Sequence, residues 1–165
     1  MKVFFSLLIL ICFAGCYGSA DSNDEKRTRP VVTPISLETL SKRAVEDLSK
    51  ITFDSVQIPR TMEKSGQLKG TPSKSWTSGF YPGLLWQLYG HSGNEKLKQA
   101  AMQWSAVVEK EKMDGTTHDL GFKIYCPFGN AYRITNDEKY KAIFLTAAQT
   151  LSTRFNPKVK AIRSW

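Results

Sequence analysis

The chain has 165 residues, 41% hydrophobic and 23% charged, a balance that excludes intrinsic disorder and suits one globular domain. Its net charge of +8 is spread over helical patterns without a nucleic-acid-binding motif, which excludes DNA and RNA as expected partners and leaves a solvated surface or an anionic saccharide. Three cysteines, Cys12, Cys16 and Cys126, exclude a disulfide framework.

The N-terminus reads as an export address. Met1-Lys2 is a short positive segment, and Val3 to Ile11 is apolar apart from Ser6. That run is too short to span a bilayer and is followed by small residues, as in a secretory signal over residues 1–15. The ending Phe13-Ala14-Gly15-Cys16 resembles a bacterial lipobox, which makes Cys16 the expected acylated residue and a lipid anchor the expected link to the membrane. Phe13 departs from the usual leucine, and ordinary cleavage near Ala20 is the alternative. Residues 16–33 are polar and charged and read as a flexible tether, so the expected domain occupies residues 34–165.

Within that domain the apolar spacing is helical. Ser36 is a plausible cap for a helix with Leu37, Leu40, Ala44, Leu48 and Ile51 on one face. Residues 54–75 contain Pro59, Gly66, Gly70 and Pro72 and read as a long loop. A second helix is expected from near Ser78 to Gly90, with Pro82 in its first turn. Asn94 caps a third, which ends at Asp114-Gly115. A fourth is expected from Asp119 to Ile134 with a kink at Pro127, and a fifth starts at Asn136 or Asp137 and stops before Pro157. Strand patterns are absent apart from an extended piece at 159–165.

The helices repeat in pairs. Gly79-Phe80 and Gly121-Phe122 each open a helix, and Asn94-Glu95-Lys96 and Asp137-Glu138-Lys139 each cap the next one. A helical hairpin cannot bury its apolar face alone, so a repeat of about 42 residues implies a stack or a closed toroid. Long loops before the Gly-Phe helices favour an all-α toroid with a central cleft. Six such hairpins need roughly 250 residues. The chain is therefore expected to hold about the first half of the barrel, to leave apolar helix faces exposed, and to be inactive alone.

Five stretches then carry a resemblance. Trp76-Thr77-Ser78-Gly79-Phe80-Tyr81-Pro82-Gly83-Leu84-Leu85-Trp86 resembles the first rim motif of the unsaturated glucuronyl hydrolases, glycoside hydrolase family eighty-eight. His118-Asp119-Leu120-Gly121-Phe122 resembles that family's catalytic motif. Tyr132–Asp137, Leu151–Asn156 and Ile162–Trp165 are similar to further family segments, in order and in register over residues 35–165. The related unsaturated rhamnogalacturonyl hydrolases share the toroid and much of the chemistry, and remain an alternative.

The resemblance implies an (α/α)6 barrel that hydrolyses the unsaturated uronic acid left by polysaccharide lyases, without metal or organic cofactor. An aspartic acid protonates C4 of the C4–C5 double bond, water adds at C5, and the hemiketal opens to release the neighbouring sugar. A carboxyl beside a second carboxylate can hold a proton near neutral pH, the physical reason for a pair. Asp119 matches the member that contacts ring hydroxyls and shapes its partner's charge. The acid itself corresponds to a position after Trp165, and Asp137 does not replace it because helix capping accounts for it.

Trp76 and Trp165 match aromatics of the cleft; packing is the alternative for Trp76, and Trp165, as a final residue without its successors, is expected to be poorly ordered. His118 fits substrate orientation or a capping or packing role equally well. Gly79, Gly83 and Gly121 are expected at close contacts or turns, and Cys126 as a buried thiol. Lys74 and Arg163 could meet a carboxylate, although surface solvation accounts for both. Two rival classes fit less of the pattern: a non-catalytic lipoprotein that binds acidic glycans, and a helical-repeat scaffold.

Overall fold

The computed structural model describes residues 34–48 and 50–164. The expected leader, the tether, Cys16 and Trp165 lie outside the described residues. All the regular elements belong to one compact unit that begins at Ile35.

Five α-helices dominate: α1 (Leu37–Leu48), α2 (Phe80–Ser92), α3 (Glu95–Glu109), α4 (Asn130–Thr135) and α5 (Glu138–Ser152). A 3-10 turn (Lys110–Met113) extends α3, and a π-helix (Gly121–Gly129) runs directly into α4. The caps follow the sequence pattern. Ser36 Oγ accepts the Thr39 amide, Asn94 Oδ1 that of Lys96 and Asp137 Oδ1 that of Lys139, each satisfying an orphan donor of the first turn.

The two expected hairpins are present as α2–α3 and as the π-helix with α4 followed by α5. Their first members pack against each other. Trp86 of α2, Ile124 and Phe128 of the π-helix, and Leu97, Trp104 and Val108 of α3 are all buried in one core. Burying a side chain of this size stabilises the fold by about 1.5–3 kcal/mol. The Trp86 indole N–H donates to Ser105 Oγ at 3.0 Å, so its one polar atom is satisfied inside that core. Leu84 of α2 and Tyr125 of the π-helix are exposed, as expected of hairpins that need neighbours.

Three local expectations are corrected and a fourth is sharpened. The loop at 54–75 contains a β-hairpin, β1 (Ile58–Met62) antiparallel to β2 (Leu68–Thr71). It has a register shift between Pro59 and Thr61 and turns through Gly66 at φ 84°. Two isolated strands interrupted by proline and glycine carry too little alternation to read as a sheet.

The second helix does not stop at Gly90. It runs to Ser92 and ends at Gly93, whose φ of 65° is the left-handed cap that glycine favours. Gly90 is instead a contact residue: a β-carbon there would lie 2.9 Å from Ile134 Cδ1.

Pro127 stands in the π-helix, where a kink was expected. Proline removes one amide donor and crowds the preceding turn, and the wider i→i+5 turn accommodates that ring. The extended tail is the second strand of a short hairpin, β3 (Phe155–Asn156) with β4 (Ala161–Ile162).

Candidate active site

Asp119 lies in the connection between the 3-10 turn and the π-helix, at the mouth of that helix. Its carbonyl accepts the Lys123 amide at 3.1 Å and so opens the first helical turn. Its amide donates to Thr117 Oγ1, and the same hydroxyl donates to Asp119 Oδ2, each at 3.1 Å. The carboxylate keeps 18% of its surface exposed.

His118 stands beside it, 27% exposed, with Nε2 3.2 Å from Asp119 Oδ1. Its Nδ1 lies 2.6 Å from the Ser164 carbonyl oxygen. A carbonyl can only accept, so Nδ1 carries a hydrogen and donates it. The ring therefore has a polar neighbour at each nitrogen and bridges Asp119 to the 161–164 segment.

Trp76 and Phe80 form an exposed aromatic triad with Phe122, three residues after Asp119. Their ring centroids are 5.6–5.9 Å apart with edge-on geometry, and they remain 49%, 41% and 48% exposed. Trp76 was read from the sequence as a cleft aromatic, whereas Phe80 and Phe122 were read only as halves of a repeated motif. The repetition was the available signal. Equivalent residues of neighbouring repeats fall side by side at one rim.

The glycines explain how the repeats come so close. A β-carbon at Gly79 would overlap the Phe122 and Lys123 carbonyls, and one at Gly83 would lie 2.9 Å from the Cys126 carbonyl oxygen. Both are contact glycines, as expected. Gly121 has open space around its missing β-carbon and no left-handed φ, which corrects its assignment. Cys126 is half-buried, and burial pushes its thiol pKa up, away from nucleophilic use.

The largest unanticipated feature is a buried ion cluster under the site. Lys123 is fully buried, with Nζ 3.0 Å from both Glu111 Oε2 and Asp114 Oδ2. Ser73 Oγ donates to Glu111 Oε1 at 2.6 Å, and Ser78 Oγ donates to the Ser73 carbonyl at 2.8 Å. The Thr116 hydroxyl and the Lys123 ammonium hold Asp114 down at about 2, against the desolvation that raises it. Lys123 therefore grips both ends of the 114–119 loop, Asp114 through its side chain and Asp119 through its amide. Glu111 and Ser73 extend the same network to the 73–78 segment that carries Trp76.

A lysine in the apolar run Gly121-Phe122-Lys123-Ile124-Tyr125 was the only sequence sign of this cluster. Lys74 and Arg163 are exposed, in line with the surface reading. Among the described residues no group of three or more His, Cys, Asp or Glu side chains could hold a metal ion.

No family model matches the chain. It is 42% identical over 110 residues to the unsaturated glucuronyl hydrolase of Formosa agariphila, an alignment covering 66% of this chain and 28% of that protein. The crystal structure of an unsaturated glucuronyl hydrolase specific for heparin superposes with a TM-score of 0.69 at 39% identity, over 78% of this chain and 35% of the other. A mutant of the Streptococcus agalactiae unsaturated glucuronyl hydrolase, complexed with dGlcA-GalNAc6S, superposes with a TM-score of 0.57 at 27% identity, over 72% and 33% of the two chains. The chain thus spans about a third of the length of these relatives.

Proposed function

Because the chain is related in sequence and fold to the N-terminal part of the unsaturated glucuronyl hydrolases, we propose that it builds one rim of a glycoside hydrolase site for unsaturated uronyl oligosaccharides. The observation that carries this reading is the placement of Asp119. A mostly buried carboxylate, gripped by Thr117 and faced by His118, stands at the rim that carries three exposed aromatic rings.

The chemistry follows from the enol ether. Protonation at C4 places the developing positive charge on C5 and the ring oxygen. Water adds its oxygen to C5 and loses a proton, and the product is a hemiketal. Cleavage of the C5–O5 bond gives a C5 ketone and a hemiacetal at C1, whose collapse expels the neighbouring sugar.

Asp119 contributes in two ways. Its carboxylate accepts hydrogen bonds from sugar hydroxyls, and its negative charge raises the proton affinity of a second aspartate, assigned by the resemblance to the segment after Trp165. His118 orients Asp119 and lines the uronate end. Trp76 offers a ring face to the sugar, with Phe80 and Phe122 fixing its position.

The leader and Cys16 support an exported, lipid-anchored protein that meets lyase products outside the cytoplasm.

The test is direct. The intact protein that carries this segment is mixed with unsaturated uronyl disaccharides from heparin and chondroitin, and the ultraviolet absorbance of the double bond is followed. Turnover that disappears in Asp119→Asn supports the reading. Binding without turnover, with Asp119→Asn indistinguishable from wild type, overturns it in favour of a glycan-binding protein.

A further inference from the structure

Arg154 takes no part in the chemistry described so far, yet each nitrogen of its guanidinium donates a hydrogen bond. Nε donates to the Arg163 carbonyl at 2.9 Å, Nη1 to the Gly115 carbonyl at 2.8 Å and Nη2 to the Ser164 carbonyl at 2.8 Å. Its own carbonyl accepts the Arg163 amide at 3.0 Å. One side chain therefore joins the loop four residues before Asp119 to the segment 163–164.

The Ser164 carbonyl is the hinge of this arrangement. It receives Arg154 Nη2 and His118 Nδ1 together, so both of its lone pairs are used. The opposite nitrogen of His118 faces Asp119. A continuous polar path runs from Arg154 through Ser164 and His118 to the Asp119 carboxylate.

We propose that Arg154 is a positioning residue: it sets the spacing and orientation between the Asp119–His118 pair and the segment running into residue 165. The proposal rests on the functional reading above, in which that segment leads to the second aspartate. The geometry needs arginine. Three carbonyls at different angles match a rigid planar fork, whereas a lysine ammonium on a flexible stem reaches one of them at a time.

The test uses the intact protein with Arg154→Ala, Arg154→Lys, and Lys158→Ala as a control on the same hairpin. In Arg154→Ala, kcat is expected to fall about 100-fold, the scale of a 1 Å misplacement, with KM changed less than about twofold. Added guanidinium ion restores part of the loss, Arg154→Lys stays close to Arg154→Ala, and Lys158→Ala keeps wild-type kcat. Should Arg154→Ala fail to fold, Arg154→Lys carries the kinetic comparison. Unchanged kcat in Arg154→Lys, or a loss confined to KM, overturns the proposal.

A second readout does not need turnover. In the intact protein the His118 ring resonances are assigned by their loss in His118→Gln. Displacement of the His118 Nδ1–H signal in Arg154→Lys supports the clamp, and an unchanged signal overturns it. If the wild-type protein turns over no unsaturated uronide, the functional reading fails, and the resonance alone decides whether Arg154 positions His118.

Discussion

Gly79 of the first repeat lies directly against the carbonyls of Phe122 and Lys123 in the second, so one Gly-Phe motif is seated on the other. Alanine at position 79 has no room, and the obstruction is backbone rather than a yielding side chain. Gly79→Ala is expected to cost about 1–3 kcal/mol through forced separation of the two helices. Gly121→Ala, where space is open, should stay within about 0.5 kcal/mol of wild type. Urea denaturation midpoints of the two variants make the comparison.

Lys123 neutralises Glu111, which is withdrawn from bulk water, and the partly exposed Asp114. Lys123→Met leaves Glu111, 4% exposed, without its cation. Breaking such a pair from one side costs about 3–5 kcal/mol, whereas replacing both partners is far milder. Lys123→Met with Glu111→Gln should therefore be more stable than Lys123→Met alone. A double-mutant cycle by thermal unfolding measures the difference.

Asp114 links the same cluster to pH. Its folded pKa, about 2, lies below the ordinary value of 3.8. The ionised form is thus favoured by folding, and its contribution is full above the ordinary value and lost as pH falls through the folded one. Asp114→Asn should be less stable than wild type at neutral pH and should flatten the loss of stability between about pH 4 and pH 2. Stepped-pH urea titrations of the two proteins read this directly.

The roles proposed for Asp119 and Trp76 separate chemistry from binding. In the intact protein, Asp119→Asn should lower kcat by at least about 100-fold if its charge acts on the reacting centre as proposed. Trp76→Ala should act mainly through KM, since a stacking face binds ground and transition states alike. Both variants should keep the far-ultraviolet circular dichroism of wild type, as neither residue belongs to the buried core.

The proposed lipid anchor provides a test independent of the site. With Cys16 acylated, labelled palmitate should be incorporated into the protein and it should partition with the membrane fraction. Cys16→Ser should abolish both and release the chain in soluble form. Labelling of wild type and Cys16→Ser to equal extent would remove Cys16 from this role.

Helix positions were legible because each rests on local physics. Asn94 and Asp137 satisfy orphan amides of the next turn, and the apolar faces of α3 and α5 repeat at helical spacing. Asp119, His118 and Trp76 were singled out by their motifs, and the structure brings Asp119 beside His118 and Trp76 into the aromatic triad. The β1–β2 hairpin and the π-helix were hidden because strand pairing, and the way a helix carries Pro127, depend on partners remote in sequence.

The amino-acid sequence by itself determined the helical repeat, its caps, and which carboxylate stands at the mouth of a helix. Each of these depends on residues within a turn or two of one another. Only the tertiary structure decided what holds that carboxylate. Lys123 reaches Glu111 twelve residues away, Ser73 reaches Glu111 across thirty-eight, and Arg154 reaches Gly115 across thirty-nine. Burial then makes the Lys123 pairings obligatory, because a charge withdrawn from water must find its partner inside the fold, however far apart the two lie in the chain.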